Sequence, residues 1–362
     1  MFHQLLAGFR RGDAISEEAI RIASLCEAHG VKCRIWAPRG CKAPDVASMA
    51  GDAEDLPREV SPDDTALLHV SSSGPCDDVF CALACRRVIL YHNFTPPHFF
   101  ERLDPPMAAR LSAARRRLPD LAGRAGGGAW ADSAFNAEEL VRVGCADPKV
   151  LPLLLDTSLF GPDGGSVDSA MREQLGGLGG DVLLFAGRFA PNKRHDKLLA
   201  ILAAYRRGID PRATLVLTGS AADAPAYSAI LRAAARDLGV EDAVFETGLV
   251  PSDSLRACYG AATAFVCASD HEGFCAPLLE AMAWHVPVFA AAAGAIPETM
   301  DGAGVLFSPD APPEVVAEAI GRVVRDPALR EAVLRRQDAR LARFRARDEW
   351  SELAPLAGLA VG

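Results

Sequence analysis

Glu272 and Glu280 stand eight positions apart in the segment HEGFCAPLLEAMAWHVPV, a setting suited to holding a hydroxyl-rich, phosphorylated ligand. Gly273 permits a backbone turn that other residues resist. Pro277 fits the first turn of a helix, where its missing N–H would have no intrahelical partner. Backbone amides at such a helix start attract anionic oxygen. From that turn Glu280 can accept two hydrogen bonds from a ribose diol, and Glu272 on the preceding loop can bind sugar hydroxyls. A glutamate at a helix start also serves simply to complement the helix dipole, so neither residue decides the matter alone.

Upstream, FAGRFAPNKRHDK places Gly187 at the end of an apolar run, followed by Arg188, Asn192, Lys193 and Arg194. Two cations at the carboxyl end of a strand suit a diphosphate leaving group, because Arg offers a two-donor fork and Lys a compact point charge. That supply of charge would let a reaction run without a metal. In the first half, VILYHNFTPPHFF ends an apolar run in Tyr91, His92 and Asn93. His92 thus falls where strand ends meet a ligand cleft, although a lone histidine is often structural.

The elements that must carry these residues alternate. Phe2 to Leu6 reads as a strand, with a polar loop through Gly12 and Asp13 and then a helix capped by Ser16, striped by Ala19, Ile22, Ala23 and Cys26, and ended by Gly30. Val31, Cys33 and Ile35, then Ala66–Val70, Val88–Tyr91 and Val150–Leu153, give further strands. A Gly-rich lapse at 161–180 reads as a linker. Beyond it come strands Val182–Ala186, Thr214–Thr218, Val244–Thr247, Ala264–Cys267 and Val286–Ala290, with helices Asp196–Arg206, Ala224–Leu238 and Pro277–Trp284. From Pro312 the chain reads as successive helices. Strands alternating with helices imply parallel sheets covered on both faces. The expected architecture is α/β: two Rossmann-like, doubly wound domains, 1–160 and 181–340, facing across a cleft, with a terminal helix at 341–362 packing back toward the first.

Bulk composition agrees with a folded enzyme of two domains. The chain has 362 residues, 50% hydrophobic and 23% charged. Net charge is −9, and residues 156–362 carry 20 basic against 27 acidic side chains, which argues against nucleic-acid binding. No run approaches the roughly 20 apolar residues of a membrane span, and the start lacks a secretory signal pattern, so a cytoplasmic location is expected. Ten cysteines are scattered, and Cys76, Cys81 and Cys85 lack the paired spacing of a zinc site; reduced, mostly buried thiols are expected. The segment Arg110–Arg124 bunches Arg110, Arg115, Arg116, Arg117 and Arg124. It reads as a solvated helix face or as a peripheral contact with an anionic membrane surface or acceptor.

GDAI at the first loop, YHNFTPPHFF, ADSAFNAEEL, AGRFAPNKR, TGLVPSDSL, EGFCAPLLEAMAWHVPVFA and AIPETMDGAGVLF together resemble the retaining GT-B glycosyltransferases of group 1, also called family four. The resemblance implies a nucleotide-diphosphate sugar donor, GDP-mannose or a UDP-hexose, and no further cofactor or metal. The acceptor would be a glycan, a lipid-linked glycan or a small-molecule hydroxyl, as in polysaccharide biosynthesis. By this resemblance Arg188 and Lys193 neutralise the departing diphosphate and Glu280 holds the ribose. Glu272, with the Gly273 and Phe274 backbone, orients the donor sugar, and Leu249 and Val250 lie by the base. Gly12, Gly187 and Cys275 complete the donor pocket, while Asp13, His92 and Asn93 meet the acceptor, His92 with a catalytic role. Two features depart from the pattern: a single glycine in the first loop, and Cys275 where glycine is frequent. Other readings on the same architecture are a nucleotide-sugar epimerase or hydrolase, and a catalytically silent sugar-nucleotide-binding subunit. The absence of G-x-G-x-x-G after the first strand argues against an NAD-dependent dehydrogenase.

Overall fold

The computed structural model describes residues 1–222 and 224–359 and divides into two compact units, Met1–Asp156 with Arg347 onward, and Thr157–Ala346. The first unit runs β1 (Phe2–Leu5), α1 (Ala14–Ala28), β2 (Cys33–Ala37), β3 (Ala50–Asp52), β4 (Thr65–Val70), α2 (Pro75–Ala82), β5 (Arg86–Tyr91), α3 (Pro105–Arg124), β6 (Ala129–Ala131), α4 (Ala134–Arg142) and β7 (Lys149–Val150). Its strands form one parallel sheet in the order β3-β2-β1-β4-β5-β6-β7.

Side chains of a strand alternate between faces, and here both faces are covered. Ala66, Leu68, Val70, Ile89 and Tyr91 pack with Phe80, Leu118, Leu121 and Leu140 from α2, α3 and α4. Phe2, Leu67, Val88 and Leu90 pack instead with Ile22 and Cys26 of α1 and with Leu353, Leu356 and Ala357 of the last helix, Glu349–Ala357. Residues from Arg347 are therefore part of the first core.

The second unit runs α5 (Ser169–Gly176), β8 (Val182–Ala186), α6 (His195–Gly208), β9 (Thr214–Thr218), α7 (Pro225–Asp237), β10 (Val244–Gly248), α8 (Ser252–Ala261), β11 (Ala264–Cys267), α9 (Pro277–Ala283), β12 (Val288–Ala291), α10 (Ile296–Met300), β13 (Val305–Phe307), α11 (Pro313–Arg325) and α12 (Pro327–Arg345). Its parallel sheet has the order β10-β9-β8-β11-β12-β13. Strand order reverses between β8 and β11, the position where open α/β sheets leave a crevice at the carboxyl ends of the strands. The loops after these two strands are AGRFAPNKR and the segment ending in HEGFC.

Several expectations need correction. Ser16 does not cap α1. The Asp13 carboxylate does, accepting from Ser16 N at 3.0 Å and Ser16 Oγ at 2.8 Å, because it sits one residue before the helix while Ser16 lies in its first turn. Residues 161–180 do not form a linker throughout. Asp168 caps α5 and accepts from Ser254 Oγ at 2.7 Å, which ties the segment to α8, and Leu175 is buried. The terminal segment 341–362 is not one helix, since α12 extends to Arg345 in the second unit and the last helix begins only at Glu349. The strand expected at Val150–Leu153 is regular only at Lys149–Val150. The cysteines carry no disulfide, but they are not mostly buried: Cys26, Cys76, Cys258 and Cys267 are, five others are partly exposed and Cys41 is exposed. No helix among the described residues is long and apolar enough to cross a membrane.

The basic segment lies on α3. Arg115 donates to Phe94 O at 2.5 Å and to Glu139 at 3.2 Å, and Arg117 pairs with Asp78. Both arginines thus serve the unit's own packing, and Arg110, Arg116 and Arg124 are the exposed cations of the segment.

Candidate functional site

In the second unit, β8 ends at Ala186 and the chain passes through Gly187 to Arg188, which is exposed and has no hydrogen-bond or ion-pair partner among the described residues. A short 3₁₀ turn, Pro191–Lys193, follows, and Arg194 takes a left-handed conformation at φ 52° before α6 begins. The loop after β11 is fastened to this turn at three points. Asp270 N donates to Asn192 O at 2.8 Å and Asn192 Nδ2 donates to His271 O at 3.1 Å. Lys193 Nζ donates to both carboxylate oxygens of Glu272 at 2.6 Å. Arg194 bridges Asp196 and Asp270 at 3.0 and 2.8 Å.

Burial works against the Lys193 charge, yet the Glu272 carboxylate outweighs it and holds the ammonium pKa above the ordinary lysine value. Lys193 has three N–H donors and Glu272 takes two, which leaves one for a further anionic oxygen. Glu280 lies in the first turn of α9, where Tyr259 Oη donates to its Oε2 at 2.6 Å. Burial raises its pKa, partly offset by that bond.

Gly294 supports the Glu272 loop from beneath. Its φ is +56°, and a Cβ there would lie 2.4 Å from Glu272 O, so a side chain cannot be accepted without movement. Ala295 N donates to the same carbonyl at 3.0 Å. Phe274 is buried and its carbonyl accepts from Thr299 Oγ1 at 2.5 Å; Gly273 and Cys275 flank it in the turn before α9, with Cys275 at φ +74°. Leu249 is 75% exposed after β10, next to the half-buried Val250, and Gly248 O accepts from Gly219 N at 3.0 Å. The structure therefore gathers Lys193, Glu272, Gly273, Phe274 and Cys275 around one pair of loops.

In the first unit, Asp13 is engaged in capping α1 and Gly12, at φ +74°, donates its N–H to Glu17 at 3.1 Å. Asn93, at φ 82°, donates to Asn136 Oδ1 at 2.6 Å. His92 is buried within a polar network. Gln4 Nε2 donates to Ala19 O at 2.9 Å, so Gln4 Oε1 accepts from His69 Nε2 at 3.0 Å. His69 Nδ1 is then an acceptor and meets His92 Nε2 at 3.0 Å, while His92 Nδ1 meets Asp132 Oδ2 at 3.2 Å. Assigned from these bonds, both His92 nitrogens carry protons. Glu18 Oε2 lies 3.5 Å from His92 Nε2 and has no hydrogen-bond partner among the described residues, although Glu18 Oε1 accepts from Leu154 N at 3.0 Å. Burial opposes a charged His92, but Asp132 and Glu18 raise its pKa above the ordinary value. The same burial lifts Glu18 to about 7, with His92 opposing. Both ring nitrogens of His92 are thus used within the unit, and contact with a substrate would require exchanging one of them.

The sequence reading placed Asn192 and Arg194 in this loop without a role for either, and it missed Asp270, Tyr259, Glu18 and His69. A histidine inside the apolar strand TALLHV was the available signal for His69. Among the described residues, two groups offer metal-ligand atoms within 4.8 Å of one another: Glu18, His69 and His92, and Cys267, Glu272 and Cys275.

Residues 168–338 match the sequence model of the family described as glycosyl transferases group 1. A D-inositol 3-phosphate glycosyltransferase of Acidothermus cellulolyticus is 35% identical over 218 residues, 58% of this chain and 48% of the relative. A GDP-mannose-dependent alpha-(1-6)-phosphatidylinositol monomannoside mannosyltransferase of Mycolicibacterium smegmatis is 31% identical over 185 residues, 49% of this chain and 47% of the relative. The chain thus spans about half the length of these curated relatives. Among solved structures, Anabaena Alr3699/HepE in complex with UDP-glucose superposes with a TM-score of 0.71 at 20% identity, covering 99% of this chain and 98% of the other. WaaG, a glycosyltransferase involved in lipopolysaccharide biosynthesis, gives 0.71 at 15% identity and 100% coverage of both. These likenesses establish the GT-B fold.

Proposed function

We propose that the chain, whose residues 168–338 match the group-1 glycosyl transferases, moves a hexosyl group from a nucleotide-diphosphate sugar to a hydroxyl acceptor with retention of anomeric configuration. The observation that carries the reading is the pairing of the two loops at the β8/β11 switch point: Arg188 is exposed and without a partner among the described residues, and Lys193 is fixed against Glu272 with one donor left over. A diphosphate seated there meets two cations. Glu272 then accepts from the donor sugar's hydroxyls, and Glu280, in the first turn of α9, accepts from the ribose diol.

In this reading the bond between the anomeric carbon and the leaving phosphate oxygen breaks as the acceptor oxygen approaches the same face. The acceptor proton passes to the departing phosphate oxygen, whose growing charge Arg188 and Lys193 stabilise. Stabilising charge that develops only in the transition state is what lowers the barrier. The side chains supply this charge themselves, so the transfer is metal-independent. GDP-mannose and UDP-hexoses are the donors proposed, from the resemblance and from the GDP-mannose-dependent relative and the UDP-glucose complex of the structural neighbour. A glycan, a lipid-linked glycan or a small-molecule hydroxyl is the acceptor proposed. The reaction is proposed to take place in the cytoplasm, with exposed Arg110, Arg116 and Arg124 available to an anionic membrane surface.

The test incubates the full chain with UDP- and GDP-sugars, with and without an acceptor panel, and follows nucleotide release and product anomers. Acceptor-dependent release with a retained anomer is expected. Release or sugar isomerisation without acceptor would show a hydrolase or epimerase instead, and nucleotide-sugar binding without turnover would show a silent subunit.

A further inference from the structure

Cys267 closes β11 and Cys275 sits in the turn before α9, with their sulfurs 4.0 Å apart. Both sulfurs and one Glu272 carboxylate oxygen lie within 4.8 Å of one another. A disulfide requires sulfurs about 2.05 Å apart. Two thiolates on one tetrahedral zinc, each bonded at about 2.3 Å, lie about 3.8 Å apart. The observed spacing is that of a thiol–thiol contact with no disulfide, and two thiolates could close onto one metal from it with a movement of only a few tenths of an ångström. Both cysteines are also held in place: Cys267 pairs in register with Ala290 of β12, and Cys275 O accepts from Leu278 N at 3.1 Å.

We propose that Cys267, Cys275 and Glu272 form a binding site for a thiophilic divalent cation of the zinc class. On binding, the two thiols release two protons, two sulfur–metal bonds and one oxygen–metal bond form, and water takes the fourth position. Two thiolates and a carboxylate around a divalent ion leave one net negative charge. The Lys193 ammonium, already 2.6 Å from both Glu272 oxygens, offsets it. Half-buried Cys275 and partly exposed Lys193 give the ion a path from solvent. An occupied site engages Glu272 and Lys193 together, so the cation competes with the nucleotide sugar; this consequence rests on the proposed function, whereas the site does not.

Cobalt(II), a spectroscopic substitute for zinc, is titrated into the reduced full chain without nucleotide. One equivalent should raise a thiolate-to-cobalt charge-transfer band, and zinc should abolish it. Cys267→Ser and Cys275→Ala, each checked for folding by thermal melting, should weaken binding by roughly tenfold or more, the scale on which metal sites respond to loss of supporting groups. No band from the folded wild type, or a band unchanged in both variants, overturns the site. A Cys267–Cys275 disulfide formed with peroxide in a protein that binds no cobalt overturns it also. A chain that proves to transfer no sugar yet shows the cysteine-dependent band retains the site and loses only the proposed function.

Discussion

Lys193 and Glu272 are 18% and 8% exposed at their side chains, so the ion pair between them is largely shielded from solvent. Removing one member of such a pair leaves the other charge buried, at a cost of about 3 kcal/mol or more. Lys193→Ala should therefore lower stability on that scale, while Lys193→Ala combined with Glu272→Ala should recover part of the loss in a denaturant melt. With donor saturating and the variant shown to be folded, Lys193→Ala should reduce turnover by roughly 10²-fold. Turnover close to that of the wild type would remove Lys193 from the reaction. His195 makes a separate statement about pH. Its ring nitrogens have no hydrogen-bond partner among the described residues, its ring stacks on Phe189 at 4.5 Å, and burial first, then Lys193, lowers its pKa from 6.5 to about 3. The unfolded chain binds this proton more readily than the folded one, so the stability contribution is complete above pH 6.5 and erodes as pH falls toward 3. About 3 kcal/mol should be lost between pH 7 and 4 from this group. His195→Phe should flatten that part of the pH–stability curve, and an unchanged acid slope would count against the assignment.

The strands were legible because a parallel sheet covered on both faces needs near-continuous apolar runs, as in TALLHV, VLLFA and TLVLT. The loops that matter were legible too, since GRFAPNK and EGFCAPLLE punctuate strand ends with Gly, Pro and charge. What one residue's type cannot state is its partner. Lys193 and Glu272 are 79 positions apart, and only the β8/β11 adjacency brings them together. Likewise α5 was obscured by the glycines around it, although Asp168 before Ser169 carried a capping signal. The Glu272 loop rests on Gly294 at the β12 end, so Gly294→Ala tests the element rather than the site. Overpacking of about 1–3 kcal/mol is expected, with the left-handed φ adding to it. Nucleotide affinity should fall in the folded variant; unchanged stability and affinity would show that the loop does not depend on this support.

At the scale of the whole molecule, the chain leaves the first unit at Asp156 and returns to it at Arg347. Arg347 donates to Pro152 O at 2.7 Å and pairs with Glu352, Arg21 pairs with Glu349, and Leu353 and Leu356 are fully buried in the first core. Removing residues from 347 onward should therefore destabilise the first unit and leave the second folded. Limited proteolysis with mass mapping would show cuts in 1–156 and protection of 157–346, and equal protection of both would contradict the assignment. The central claim remains the capture of a diphosphate by Arg188 and Lys193. Calorimetric titration of UDP and GDP into the wild type, Arg188→Ala and Lys193→Ala tests it most directly. At least one of the two nucleotides should bind the wild type and lose tenfold or more in affinity, roughly 1.4 kcal/mol, in each variant. No binding of either nucleotide, or equal binding to all three proteins, would contradict it.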